Sequence, residues 1–281
     1  MNTKAIIKRN GLSLFFTFSL LLIEAGINLL FPLFIGYAID DAIGKSYEGT
    51  WYLGLLGVAA LIFGVGRRVF DSRLYAKIYQ TLGEGILSKM ENKKASVKTA
   101  RLSMIRELVE FFEHAFPELL FNIIGLAGFT VILASLNIKI FYLGILVTSL
   151  IFLVYWITSN KTIQFNQNAN DELEKQVDIV KTNDKYCLAQ HLKTMMKWNI
   201  KLSDLEALNF SISWLVMMAF LLGSIVVAVS DGIVKYGALF SLIMYVFQYM
   251  ESVLNLPLYY QNWLRLKEIR ERLEISTEHQ I

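Results

Sequence analysis

"LSLFFTFSLLLIEAGINLLFPLFIGYAI", residues 12–39, carries a single charge, Glu24, across a stretch long enough to leave water altogether. A helix rising 1.5 Å per residue needs roughly 20 apolar residues to cross a hydrocarbon core about 30 Å thick. Five further blocks meet the same length test: Trp51–Phe70, Leu119–Leu136, Ile140–Ile157, Phe210–Val229 and Tyr236–Tyr260. The second is the weakest, because Arg67 and Arg68 fall near its end. Of the 281 residues 55% are hydrophobic, against about 45–50% in an ordinary soluble domain. The reading is all-α: a polytopic membrane protein with six long transmembrane helices.

The first block is too long for the apolar region of a signal peptide, and no small-x-small cleavage pattern follows it. The three prolines, Pro32, Pro117 and Pro257, leave room for long unbroken helices. The lone Cys187 excludes an internal disulfide, and a net charge of +3 is too small to point to nucleic acid.

Connector lengths alternate. Residues 40–50, 137–139 and 230–235 are short, whereas 71–118 and 158–209 are long. Basic residues follow the same alternation. Lys45, Lys139 and Lys235 are the only ones in the short connectors; the other 24 of 27 lie at the N-terminus, in or beside the long connectors and in the tail. The positive-inside rule then puts both termini and both long connectors in the cytoplasm, with the cell (inner) membrane as the expected location.

The long connectors are themselves patterned. In "VFDSRLYAKIYQTLGEGILSKM", residues 69–90, Phe70, Leu74, Ile78, Leu82, Ile86 and Met90 recur every fourth position. Such a stripe predicts that the second span continues about 30 Å beyond the membrane, packed against other protein. "NQNANDELEKQVDIVK" (166–181) and residues 199–209 also read as helical extensions, and "TNDKYCLAQHL" (182–192) as a short helix between long ones. The tail repeats the stripe with Trp263, Leu266, Ile269 and Leu273. Residues 1–275 are read as one six-helix domain and 276–281 as a short polar tail. No internal sequence repeat stands out.

Polar residues at membrane depth are costly and face a cavity or a partner. Thr17, Glu24 and Asn28 share one helical face of the first span, and Gln248, Glu251 and Asn255 a face of the sixth. One reading makes these substrate or proton sites, with Asn122 and Glu118 on the third span as weaker candidates. The other has each group hydrogen-bonding a neighbouring helix. Arg67 and Asp71, four apart, are expected to pair on their own helix. Gly54, Gly57, Gly64 and Gly66 read as small residues that permit close helix packing. His114 beside Glu113 reads as solvated or structural rather than as a proton or metal site.

No catalytic or cofactor motif is present. "GKS" at Gly44–Ser46 has Ile39 where a P-loop requires its first glycine, and no strand-rich segment surrounds it. There is no G-x-S-x-G elbow and no HExxH. The chain is therefore not expected to be an enzyme, and neither a metal nor a cofactor is expected in it.

Six spans, small outer loops and two long helical inner loops resemble the transmembrane domain of type I (type IV fold) ABC exporters. "FPLFIGYAIDDAI" (31–43) matches the end of that family's first helix through Pro32, Gly36, Ile39 and Asp40. "SDGIVKYGALFSLIMYVFQYMESV" (230–253) matches the sixth through Gly232 and Gly237. "LRLKEIRERLE" (264–274) is similar to the helix that leads into the family's nucleotide-binding domain. Within "KKASVKTARLSMIRELVEFF" (93–112), Thr99-Ala100-Arg101 stands where the family usually has a Thr-Gly pair.

The resemblance implies a half unit lacking the nucleotide-binding domain, working as a two-fold dimer, most simply a homodimer, with a heterodimer as the alternative. It would transport a small molecule, lipid or peptide by alternating access. A separate ATPase subunit would dock on loop tips marked by Thr99, Ala100, Arg101, Asp184 and Ala189. The alternatives are an ATPase-free, proton-driven carrier using Glu24 and Glu251, and a non-transporting accessory membrane subunit.

Overall fold

The computed structural model describes residues 3–89, 95–182, 184–233 and 235–256; the side chains of residues 3–9, Ile86, Lys89, Ser96, Val97 and Ala100 and the tail from 257 lie outside the described residues. Among the described residues no strand occurs. Helices α1 (Thr3–Ile43), α2 (Glu48–Lys89), α3 (Ala95–Glu110), α4 (Phe116–Leu136) and α8 (Tyr236–Leu254) build one compact unit, and α5 (Ile138–Glu174), α6 (Gln176–Thr182) and α7 (Lys185–Ser230) build a second. Six helical stretches among the described residues are long and apolar enough to cross a membrane.

In the first unit α1 and α2 form a hairpin closed by residues 44–47, where Lys45 takes a positive φ of 60°. Asp41 Oδ2 accepts the Gly49 N–H at 2.8 Å and ties the two helix ends together. As the apolar stripe predicts, α2 continues to Lys89. Its partner is α3: Leu74, Tyr75 and Ile78 are buried with Ile105 and Val109, and Leu82, Leu102 and Leu14 pack around them. This cluster explains why a segment carrying so many charges is helical at all. Its apolar positions recur on one face, and burial stabilises that face.

Between α3 and α4 the helix widens into one π-helical turn, Phe111–Ala115, in which the Phe116 N–H reaches back to the Phe111 carbonyl. Pro117 follows immediately and has no N–H to give to the preceding turn, so the hydrogen-bond ladder is already interrupted there. The rings of Phe111, Phe112 and Phe116, with Phe18 of α1, pack edge to face or tilted around the turn.

Helices α1 and α8 touch backbone to backbone. A Cβ on Gly36 would overlap the Ser241 hydroxyl and the Gly237 carbonyl, and a Cβ on Gly237 would overlap the Gly36 carbonyl. The close approach lets α8 supply donors to α1 around Pro32. Tyr245 Oη donates to the Leu29 carbonyl (2.9 Å) and Ser241 Oγ to the Pro32 carbonyl (2.8 Å). The Gly237 N–H donates to Asp40 Oδ1 at 2.7 Å. By contrast, among the described residues no heavy atom lies within 4 Å of a Cβ built on Gly54, Gly57 or Gly66, so these glycines do not mark a close crossing there; of the four, Gly64 faces a neighbour, the Glu24 carboxylate.

The second unit is an antiparallel pair, α5 against α7. Buried positions on α5 (Ile140, Gly144, Val147, Ile151) are spaced four and three apart, as are Asn209, Ser213, Met217, Phe220 and Ser224 on α7 to within a residue. That spacing is a coiled-coil seam. Asn137 starts α5 by accepting the N–H groups of Lys139 and Ile140 on its Oδ1.

One expectation about the second long connector is corrected. Residues 166–181 are helical as expected, interrupted only at Lys175, where α5 ends at Glu174 and α6 begins at Gln176. Residues 182–192 do not form a short helix of their own. The short helix is α6, and α7 starts at Lys185 and runs unbroken to Ser230. The physical reason is local. The Asp184 carboxylate accepts the Tyr186 N–H at 2.8 Å and nucleates α7, and no Gly or Pro occurs from Lys185 to Leu222 to stop it.

Candidate functional site: a charged cavity between α1, α2 and α4

Glu24, the lone charge of the opening stretch, meets Arg67 of α2: Arg67 Nε donates to Glu24 Oε2 at 2.5 Å. The same guanidinium donates from Nη1 to Asp71 Oδ2 at 3.0 Å, and Asp71 Oδ1 accepts the Thr17 hydroxyl at 2.9 Å. Two carboxylates thus share one guanidinium, and a threonine closes the chain of bonds. The Arg67 side chain is 13% exposed, Asp71 4% and Glu24 21%. In so dry a setting an unpartnered charge would cost several kcal/mol, on the order of 3–5 when one partner is removed. The expected Arg67–Asp71 pair therefore forms, but as half of a bridge to α1.

This network forms one side of a cavity of about 600 Å³, whose other walls include Arg68 and Ser72 of α2, Glu113 and His114 of the π-helical turn, and Pro117, Glu118 and Phe121 of α4. Its size suits a small organic ligand. Arg67 is committed to Glu24 and Asp71. The remaining charge in the lining is carried by Arg68 on one wall and Glu113 and Glu118 on another, with His114 Nε2 at 4.0 Å from Glu113. With His114 neutral, the lining holds four carboxylates against two guanidiniums. The widened turn, which aims two successive polar side chains at the cavity, is the kind of local irregularity found at functional sites.

The other sequence candidates are scattered. Asn122 is buried and donates to the Ser252 carbonyl at 3.2 Å, which joins α4 to α8. Asn255 sits half-buried where α8 ends, its N–H reaching the Glu251 carbonyl. Asn28 and Gln248 are half-buried and Glu251 is exposed; none of the three lines the charged cavity. So Thr17 and Glu24 are brought together with Arg67 and Asp71, and Glu24 and Glu251 are not brought to one cavity. Among the loop-tip candidates, Thr99 is exposed and bonds its own helix at the Ala95 carbonyl, Arg101 is half-buried, and Asp184 and Ala189 are exposed in the second unit. The Cys187 thiol and the Tyr186 N–H together hold the Asp184 carboxyl below the usual carboxylate range.

Sequence reasoning missed the Glu24–Arg67 bridge, although a signal for it exists. In a tight antiparallel helical hairpin, residues equally far from the turn lie level. Glu24 precedes the end of α1 at Ile43 by as many residues as Arg67 follows the start of α2 at Glu48.

The second unit carries a smaller polar set. His191, 2% exposed, places Nδ1 at 2.9 Å from Glu172 Oε1, and Asn209 Nδ2 donates to Thr158 Oγ1 at 2.9 Å. These lie along the α5–α7 seam, where polar residues set helix register.

A family model described as ABC transporter transmembrane region matches residues 3–237. No curated protein matches the chain.

Proposed function

The chain belongs to the ABC transporter transmembrane region family, and from that premise we propose that it is the membrane-spanning subunit of an exporter-like transporter driven by an ATPase outside these 281 residues. It is an integral membrane protein of a transport family. The reading goes further in assigning it a small-molecule, lipid or peptide cargo moved by alternating access, with two copies of the chain forming the working unit. The positive-inside distribution of Lys and Arg supports cytoplasmic termini in the cell membrane, with α2–α3 and the α5–α6–α7 bend projecting toward the ATPase.

The observation that carries the reading is the family match over residues 3–237, together with helices that overrun a bilayer. At 46 residues, α7 is roughly 69 Å long, more than twice the hydrocarbon thickness. Such overhang needs a partner outside the membrane, and the loop tips at 95–103 and 176–189 are where a motor would push. The commitment of Glu24 to Arg67 favours an ATP-driven device over a carrier that loads protons on Glu24.

Purification from native membranes in mild detergent, with quantitative identification of co-purifying proteins, tests this. A P-loop ATPase at near-equal abundance, and ATP-dependent flux after reconstitution, are expected. A chain that emerges without an ATPase and supports no ATP-dependent flux overturns the proposal.

A further inference from the structure

We propose that the cavity between α1, α2 and α4 takes the headgroup of a zwitterionic phospholipid bearing a primary ammonium, with the phosphate on Arg68 and the ammonium between Glu113 and Glu118. The inference rests on the membrane orientation in the proposed function. Its chemistry comes from the two signs of charge in the lining.

Arg67 is already bound by two carboxylates, so it is not the ligand's partner. What remains is one guanidinium on α2 and two carboxylates on the π-helical turn and the start of α4. A simple anion would meet two carboxylates, and a simple cation would meet Arg68. A ligand carrying phosphate and ammonium a few bonds apart answers both, and the net negative lining favours a headgroup whose ammonium is unblocked and donates hydrogen bonds.

Depth supplies the second argument. From the turn at 44–47, Arg67 closes the first 20 residues of α2 and Glu24 opens the last 20 of α1; Glu118 opens the last 19 of α4. Each run measures roughly 28–30 Å, one hydrocarbon thickness. The cavity therefore lies one hydrocarbon thickness from the turn, level with the point where Arg67 and Arg68 end the apolar run of α2 and Glu118 precedes that of α4, while the apolar run of α1 continues past it to Leu12. On its hydrocarbon side Leu61, Ile62 and Val65 of α2 and Ile123 of α4 expose apolar side chains, as contacts for acyl chains require. Within the cavity Phe121 and Pro117 offer an apolar surface to the glycerol end.

The test is binding, measured apart from transport. Purified protein in detergent is titrated with short-chain phosphatidylethanolamine, phosphatidylcholine, phosphatidylglycerol and free phosphoethanolamine, read by native mass spectrometry. Phosphatidylethanolamine should bind best. Glu113→Gln with Glu118→Gln, and separately Arg68→Gln, should each weaken it about five- to tenfold, while Glu206→Gln on α7 leaves it unchanged. Equal binding of free phosphoethanolamine would mean a site for a soluble amine and would overturn the lipid assignment. Equal binding of all three lipids, or phosphatidylethanolamine binding indifferent to the substitutions, would overturn the site. Binding as expected with no ATP-dependent flux would sink the transport reading and leave the lipid site standing.

Discussion

Replacing Gly36 by alanine should separate α1 from α8. In an open helix interior that change stabilises by about 1 kcal/mol, because alanine has the better helix propensity. Here the added methyl would fall on the Gly237 carbonyl and the Ser241 hydroxyl. Ser241 could rotate at the loss of its bond to Pro32, but the backbone carbonyl cannot yield, so α8 must move away. Overpacking of this kind costs about 1–3 kcal/mol. Three hydrogen bonds cross at the same place, from Gly237 to Asp40, Ser241 to Pro32 and Tyr245 to Leu29. In a membrane each contributes about 0.6 kcal/mol on average, so their joint loss adds roughly 2 kcal/mol. Set against the gain in propensity, the net destabilisation is about 2–4 kcal/mol, or roughly 6–12 °C in Tm for a chain near this size. The assay is fluorescence-detected size exclusion in detergent after a heating series. Gly26→Ala on α1 and Gly54→Ala on α2, where a Cβ meets nothing within 4 Å, are the controls and should hold or raise the midpoint. A Gly36→Ala protein as stable as the controls would refute the backbone contact, and with it the account of why these glycines occur.

Three further outcomes are expected. Arg67→Met alone strands Glu24 and Asp71 and should cost on the order of 3–5 kcal/mol; adding Glu24→Gln and Asp71→Asn should recover most of it, and thermal midpoints of the single and triple variants decide. Ile105→Ala removes a side chain with no exposed surface from the α2–α3 cluster and should cost about 2–5 kcal/mol, seen as faster proteolysis within residues 95–110. Asp184 has its pKa depressed in the folded chain, first by the Cys187 thiol and then by the Tyr186 N–H, so its support for the start of α7 is complete above the ordinary carboxylate pKa of about 4 and is lost as pH falls through the lower folded value. Amide exchange at Tyr186 and Cys187, corrected for its intrinsic pH dependence, should therefore be flat from neutral pH to about 5 and rise only in stronger acid, and Asp184→Ala should raise it at neutral pH and remove the rise in acid.

The spans were legible because their cause is local. A run of some 20 apolar residues has few places to go but a membrane, and the fourfold stripe from Phe70 to Leu82 needs only a helix to become a face. Two helix starts carry a side chain that caps its own backbone, Asn137 and Asp184, and both signals were present and went unread; the second misplaced the short helix of the second connector. The glycines show the opposite case. Gly36, Gly54 and Gly237 look alike in sequence, and only the path of α8 makes two of them a crossing point and leaves the third in open space.

Residue order alone determined the all-helical class, the number of spans, the alternation of short and long connectors and the overhang of α2, since each follows from hydrophobicity and periodicity along a single helix. Tertiary structure decided which charges meet. Glu24 reads in isolation as a membrane carboxylate awaiting a proton or a substrate. The hairpin geometry brings Arg67 level with it and turns it into one end of a four-residue bridge, while the π-helical turn before Pro117 carries Glu113 and His114 to the same cavity. The physical reason is reach: hydrophobic patterning acts over one helical turn, but an ion pair depends on the relative height of two helices, which is set only when their turn and their packing are in place.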